Sequence, residues 1–158
     1  MRTRSTRAAD FPTTVAVFPS NSMPRHRLPL TVLESRFALC RLQPGDAIPE
    51  WTSAAREFLT ISRTPTELSI VVDEIAVPQS VEATRGYRAL RVEGPLPLEM
   101  VGVAVSIAGP LADQGISIIP IGTYDTDYIL VRDIDLPHAV ATLTAAGHSL
   151  RQSSGSLK

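Results

Sequence analysis

Asp125 and Asp127 stand two residues apart in the stretch GTYDTDY, with Thr123, Tyr124 and Thr126 around them. In extended chain an i, i+2 pair points to one side. Two carboxylates so placed could act as a general acid/base pair or hold an ammonium group. At a hairpin corner the same residue types also stabilise a turn through Asx-type side-chain bonds, and spacing alone leaves both readings open. The turn lacks the Asn-Gly or Asp-Gly pair of the tightest hairpins. A carboxylate beside unpaired backbone N–H groups suits a ligand that carries both an ammonium and a carboxylate, that is, a free amino acid.

The remaining chemistry-bearing residues form no constellation. His26, His138 and His148 are far apart in sequence, and none makes a ligand-spaced cluster with Cys40. No zinc or iron spacing is present, so no metal is expected. GxSxG, GxxxxGK[ST] and GxGxxG are absent, and no cofactor is expected. Cys40 alternates within an apolar run and reads as a buried structural thiol. His138 is expected at a helix start, as a cap or in solvent, and His148 at a helix end, where a cation is tolerated. An enzyme, such as a small transferase with Asp125 or Asp127 as base, would need a second polar cluster that the sequence does not offer.

The chain has 158 residues, 44% of them hydrophobic and 20% charged. That is enough for one proper core, or for two small domains that share one. No apolar run reaches the ~18–20 residues of a membrane-spanning helix, so no membrane partner is expected. One cysteine excludes an internal disulfide and fits a cytoplasmic location. Residues 1–28 hold five arginines against the single acid Asp10, whereas the rest holds ten basic and fifteen acidic residues. The mildly acidic body argues against a nucleic-acid-binding face. The basic, Ser/Thr-rich start has the composition of a transit segment but no clear amphipathic period. It is read as a disordered tail, or as the product of an upstream start with Met23 nearer the true beginning.

These residues must be held by regular elements. Arg36 to Leu42 alternates as a strand, and Pro44-Gly45-Asp46 breaks it. Ile48 to Arg56 reads as a short helix with Trp51 and Ala55 on one face. Glu57 to Arg63 and Glu67 to Asp73 read as strands joined through Thr64-Pro65-Thr66, and Pro78 to Gly86 as a polar connector. Tyr87 to Glu93 alternates with period two. Leu98, Val101, Val105, Ala108 and Ala112 recur at steps of three and four, which predicts a helix with that stripe buried. Pro110 should kink or tighten it, and Gly115 should end it. Ile116 to Gly122 and Thr126 to Arg132 are β-branched runs on either side of the turn. Asp135 is expected to cap a second helix, with Pro137 in its first turn, Leu136, Ala139 or Val140, Leu143 and Ala146 buried, and Gly147 at its end. A short strand, His148 to Arg151, closes the order. The second half is therefore β-α-β-β-α-(β), a ferredoxin-like unit, and the first half, β-(α)-β-β, is a reduced version of it.

YRALRVEGPL, the helix exit LADQGISIIPI and the element GTYDTDYILV together resemble the ACT domain. More narrowly they resemble the small bacterial two-ACT proteins related to the CASTOR cytosolic arginine sensors. RFALCRL and FLTISRTPTELSIVVDE are similar to that family's degenerate N-terminal unit, so the likeness covers about residues 29–149. It implies an α+β fold of two ferredoxin-like units (ACT, βαββαβ), the N-terminal one degenerate, with antiparallel sheets and helices on one face. The corresponding division is a basic tail over 1–28, the degenerate unit over 29–78, a linker over 79–86, the C-terminal ACT domain over 87–150 and a tail over 151–158. The resemblance implies a non-catalytic regulatory protein, cytoplasmic, that binds an amino acid where two units meet. The alternative is an interaction or scaffold module without a ligand. Carried over, Thr123, Tyr124 and Asp127 become ligand contacts, Ile121 and Gly122 offer backbone groups, and Asp125 is left as the turn-maker. The sensors have four ACT units, so this chain would dimerise to build the same arrangement.

Overall fold

The longest strand, β5, runs from Thr84 to Val92, and the rest of the sheet is assembled on its two edges. The computed structural model describes residues 25–153. The segment up to residue 24, with Met23, and the tail 154–158 lie outside the described residues. The other strands are β1 (Pro29–Val32), β2 (Phe37–Leu42), β3 (Leu59–Arg63), β4 (Leu68–Asp73), β6 (Ile119–Gly122), β7 (Asp127–Arg132) and β8 (Ser149–Gln152). The α-helices are α1 (Val103–Asp113) and α2 (Leu136–Ala145). One edge of β5 carries β7, which carries β6. The other edge is shared: β2 pairs near the start of β5 at Thr84 and Tyr87, and β1 near its end at Leu90 to Val92. β2 leads on to β4 and β3, and β1 to β8, so a single eight-stranded sheet forks along β5. All of these pairings are antiparallel except β1 with β8, which is parallel.

The expected order β-α-β-β-α-β is present as β5-α1-β6-β7-α2-β8. The sequence reading missed β1, which is wedged between β5 and β8. Its four residues are too few to show a period, and Pro29 at its head reads as a break. Residues 25–28, grouped by charge with the basic tail, are held in the fold: Leu28 is buried, and the His26 N–H donates to the Ser106 hydroxyl at 2.8 Å. The connector before β5 is also shorter than expected, because pairing already begins at Thr84. Gly86, at φ +82°, sits where the β2 register shifts, and a glycine takes that left-handed kink without steric cost.

Alternation in β5 sets the two faces. Leu90 and Val92 join Leu30, Val32, Ile129 and Val131 under the helices, against Val103, Ile107 and Leu111 of α1 and Ala139 and Leu143 of α2. Ala89 points the other way, to a cluster with Phe37, Phe58, Val71 and Leu130. The stripe expected to be buried on α1 is the wrong one: Leu98, Val101 and Val105 are exposed, while Val103, Ile107 and Leu111 are buried at i, i+4, i+8. Both stripes are apolar, and the one with Ile107 and Leu111 fills the core with larger side chains. The helix also starts later than expected, behind Gly102 at φ +91°. Its end is as expected. Gly115 is left-handed, and the Gly115 and Ile116 N–H groups close on the Ala112 and Leu111 carbonyls.

Pro110 lies inside α1 and has no N–H for the Ser106 carbonyl. His148 fills that vacancy: its Nε2 bonds the Ser106 carbonyl at 3.0 Å, while Nδ1 accepts the Leu28 N–H at 3.2 Å. The histidine expected as a tolerated cation at a helix end is instead a buried splice between α1, the α2 exit and the strand entering β1. His138, on α2, is exposed. Asp135 does not cap α2 with its side chain. It pairs with Arg132 at 2.8 Å, and Pro137 starts the helix as expected.

In the first half the expected helix is a 3-10 turn, Glu50–Ala54, with Trp51 and Ala55 packed on the cluster of Ala38, Cys40, Leu68, Ile70, Val72 and Val77. Burial raises the Cys40 thiol pKa, which fits a structural role.

Glu93 ties three strands together. It accepts the Thr31 hydroxyl at 2.5 Å and pairs with Arg91 at 3.1 Å and Arg151 at 2.9 Å. The Thr31 hydrogen bond, helped by the two arginines and opposed by burial, holds its pKa below the usual glutamate value. A depressed folded-state pKa adds stability that is complete above the unfolded value and is lost as pH falls through the folded one. The Tm difference between wild type and Glu93→Gln is therefore expected to be constant near neutral pH and to shrink in the acid range. A difference independent of pH would contradict this coupling.

Candidate functional site

The β6–β7 hairpin places the Thr123–Asp127 turn beside the loop that leads from β5 to α1. The Thr123 N–H donates to the Thr126 carbonyl at 2.8 Å, and the Thr123 hydroxyl donates to the same oxygen at 2.7 Å. Thr123, not an aspartate, is thus the side chain that stabilises this turn. The Thr126 hydroxyl donates to the Val92 carbonyl, and the Asp125 carbonyl accepts the Leu96 N–H at 2.8 Å. Asp125 therefore contributes to the turn through its backbone, and its exposed carboxylate has no partner among the described residues.

Leu96, Pro97, Leu98, Met100 and Val103 face Thr123, Tyr124, Asp125, Thr126 and Asp127 across a shallow cleft of about 110 Å³. Asp127 is half-buried here, and its carboxylate makes no hydrogen bond or ion pair among the described residues. The first turn of α1 borders the same cleft, and no side chain caps it. Tyr124 stands out from the turn, 81% exposed. The lining contains no histidine, lysine, arginine or cysteine. It offers carboxylates and helix N–H groups, a set that can receive opposite ends of a zwitterion, and no paired nucleophile.

The hairpin parity separates the two remaining site residues. The Thr123–Thr126 bond fixes alternate pairs as the bonded ones. Ile121, opposite Tyr128, therefore spends its backbone groups on the ladder, whereas Gly122, opposite Asp127, turns its N–H and carbonyl to the outer edge of β6. The Ile121 side chain lies on the helix-free face with Tyr128, whose ring stacks on Phe58 at 4.2 Å. Ile121 is thus not brought to the cleft. Gly122 adjoins it: a Cβ there would lie 3.4 Å from Asp127 Oδ1. The wall from Leu96 to Met100 was missed from sequence because Leu98 was counted into the helix. The Pro95-Leu96-Pro97 spacing and Gly102 were the available signals of an irregular entry.

Among the described residues no group of three or more His, Cys, Asp or Glu side chains could hold a metal ion. No described helix is long and apolar enough to cross a membrane.

A family model described as ACT domain matches residues 82–145, and a model of an N-terminal domain family matches residues 35–80. The human protein CASTOR3P is 35% identical over 102 residues, 56% of this chain and 63% of that protein. The bovine cytosolic arginine sensor for mTORC1 subunit 1 is 33% identical over 100 residues, 55% of this chain and 30% of the sensor. The chain thus matches less than two thirds of the length of either relative. The crystal structure of protein Atu0741 from Agobacterium tumefaciens superposes with a TM-score of 0.77 at 35% identity, covering 82% of this chain and 96% of that one.

Proposed function

Because this chain belongs to the ACT-domain family, we propose that it is a non-catalytic regulatory protein that binds a free amino acid in the cleft between the Thr123–Asp127 turn and the Leu96–Met100 loop. The observation that carries this reading is the Asp127 carboxylate. It is half-buried in the cleft without a partner among the described residues, while the two threonine hydroxyls beside it already serve the turn and its anchor to Val92. Asp127 would take the ligand's ammonium group, and the uncapped N–H groups of α1 its carboxylate. Thr123 and Tyr124 would frame the ligand, and Gly122 would offer its outward backbone groups.

The cleft is shallow, and the apolar groups around it, Leu98, Val101 and Tyr124, are exposed. A second copy would cover its open side, so the active form in this reading is a homodimer with the ligand where ACT units meet. The ligand would act by differential affinity, stabilising the closed pair of units over an open one. A cytoplasmic location follows the relatives named as cytosolic sensors. No cofactor, membrane or nucleic acid takes part.

Thermal unfolding against the twenty amino acids tests the reading. One ligand at 100 times its Kd is expected to add about 2.7 kcal/mol, a rise in Tm of roughly 5–11 °C for a chain of this size. Asp127→Ala should abolish the rise and leave the unliganded Tm nearly unchanged, because the carboxylate bonds no group among the described residues. No response to any amino acid would overturn the proposal in favour of an interaction module without ligand. Turnover of a bound amino acid would make the protein an enzyme.

A further inference from the structure

At the far end of β7 from the cleft, two short 3-10 turns leave the same end of the sheet, with β2 and β5 between them. Glu74–Ala76 follows β4, and Asp133–Asp135 follows β7. Each continues a buried strand with an acidic residue and then an isoleucine, and each leaves that isoleucine in solvent: Ile75 is 79% and Ile134 81% exposed. Arg36 joins the two turns. Its carbonyl accepts the Glu74 N–H at 2.7 Å, and its Nη2 donates to Asp133 Oδ2 at 2.7 Å.

Beside this bridge lies a depression of about 470 Å³ lined by Ser35, Arg36, Arg56, Glu74, Ile75 and Arg85, with Gln79 at its margin. Its charges are poorly balanced. The Arg56 guanidinium has no partner among the described residues. Among the described residues Arg85 is oriented by the Glu74, Val77 and Pro78 carbonyls, which do not neutralise it. Glu74 spends an oxygen on the Gly86 N–H at 2.8 Å. Residues 25–153 hold eleven arginines and fifteen acids, so a three-arginine depression in an acidic body is a local reversal of sign.

We propose that the surface formed by Ile75, Ile134, Arg36, Arg56 and Arg85 docks a partner protein through an acidic segment that also carries apolar side chains. Charge complementarity names the acidic partner, since among the described residues Arg56 and Arg85 pair with no carboxylate, whereas Arg36 is held by Asp133. The two exposed isoleucines name the apolar component, and arginine with large apolar groups is the composition of interface anchors. A second copy of this chain fits less well, because a two-fold contact on this face would set the same arginines against each other. The surface and the amino-acid cleft lie at opposite ends of β7, so both could be filled at once. This inference stands whether or not the cleft binds an amino acid.

Fluorescence anisotropy of the full chain with three labelled twelve-residue peptides provides the test. One alternates Glu and Leu, one alternates Lys and Leu, and one is Glu alone. The Glu/Leu peptide is expected to bind at least tenfold more tightly than either control, and to weaken as salt rises. Arg56→Gln and the pair Ile75→Ser with Ile134→Ser should each weaken it at least fivefold. All three positions are exposed, so unchanged circular dichroism and Tm would exclude misfolding as the cause. Equal binding of the Glu-only peptide, equal competition by inorganic phosphate, or no effect of the variants would overturn the proposal. A loss of self-association in the isoleucine double variant, measured by sedimentation, would overturn it in favour of a contact between copies.

Discussion

Asp73→Ala is expected to lower stability by about 3 kcal/mol, seen as a fall in Tm of roughly 6–12 °C. Asp73 ends β4 and is fully buried. Its carboxylate accepts the Arg56 N–H at 2.8 Å, the Glu57 N–H at 3.2 Å and, more weakly, the Phe58 N–H at 3.5 Å. These backbone donors belong to the segment that enters β3, and no strand reaches them. Alanine would leave them unpaired next to a cavity. Charge-assisted bonds to backbone amides are stronger than neutral ones, so Asp73→Asn should recover only part of the loss. Hydrogen exchange should quicken first at β3, the edge strand that depends on this anchor. A variant within about 0.5 kcal/mol of wild type, the range of ordinary surface substitutions, would refute this role.

Gly94→Ala should cost about 1–3 kcal/mol, the range for overpacking, and should also weaken any amino-acid response of the cleft. A Cβ at residue 94 would lie 2.7 Å from the Asp125 carbonyl oxygen and 3.2 Å from Thr126 Cβ. The first contact is with backbone and cannot be relieved by a rotamer change, so the Thr123–Asp127 turn must retreat from the end of β5. That movement strains the Leu96 N–H bond to Asp125, which joins the two walls of the cleft. Asp127→Ala and Gly94→Ala thus give different patterns. The first removes the response at nearly unchanged stability, and the second lowers both. A Gly94→Ala protein with wild-type Tm would show that the approach is looser than these distances.

The legible parts of the fold are those in which local pattern and tertiary demand coincide. β5 read correctly because its polar and apolar residues alternate, and β7 because a strand-length apolar run covered on both faces follows the turn directly. The Thr64-Pro65-Thr66 turn, the Gly115 exit and the Pro137 start read correctly because each is fixed by backbone chemistry of one or two residues. α1 was placed but rotated, since two apolar stripes run along it and periodicity cannot weigh them. β1 was missed because a four-residue strand obtains its identity from its neighbours β5 and β8. In the candidate site the sequence named the turn but not how it is held: the Thr123 hydroxyl bonds the Thr126 carbonyl, while Asp125 takes part through its backbone carbonyl.

The sequence by itself determined the element order of the second half, the polar turn between β6 and β7, and the absence of a recognisable catalytic or metal-binding motif. Those properties follow from short-range periodicity and residue chemistry. The tertiary structure alone decided that the sheet forks along β5, that His148 supplies the donor Pro110 lacks, and that Asp127 faces a cleft while Ile121 does not. Each of these depends on which groups lie across a gap between distant segments. Pairing parity, a missing N–H and a free carboxylate acquire meaning only when the opposite side of that gap is in place.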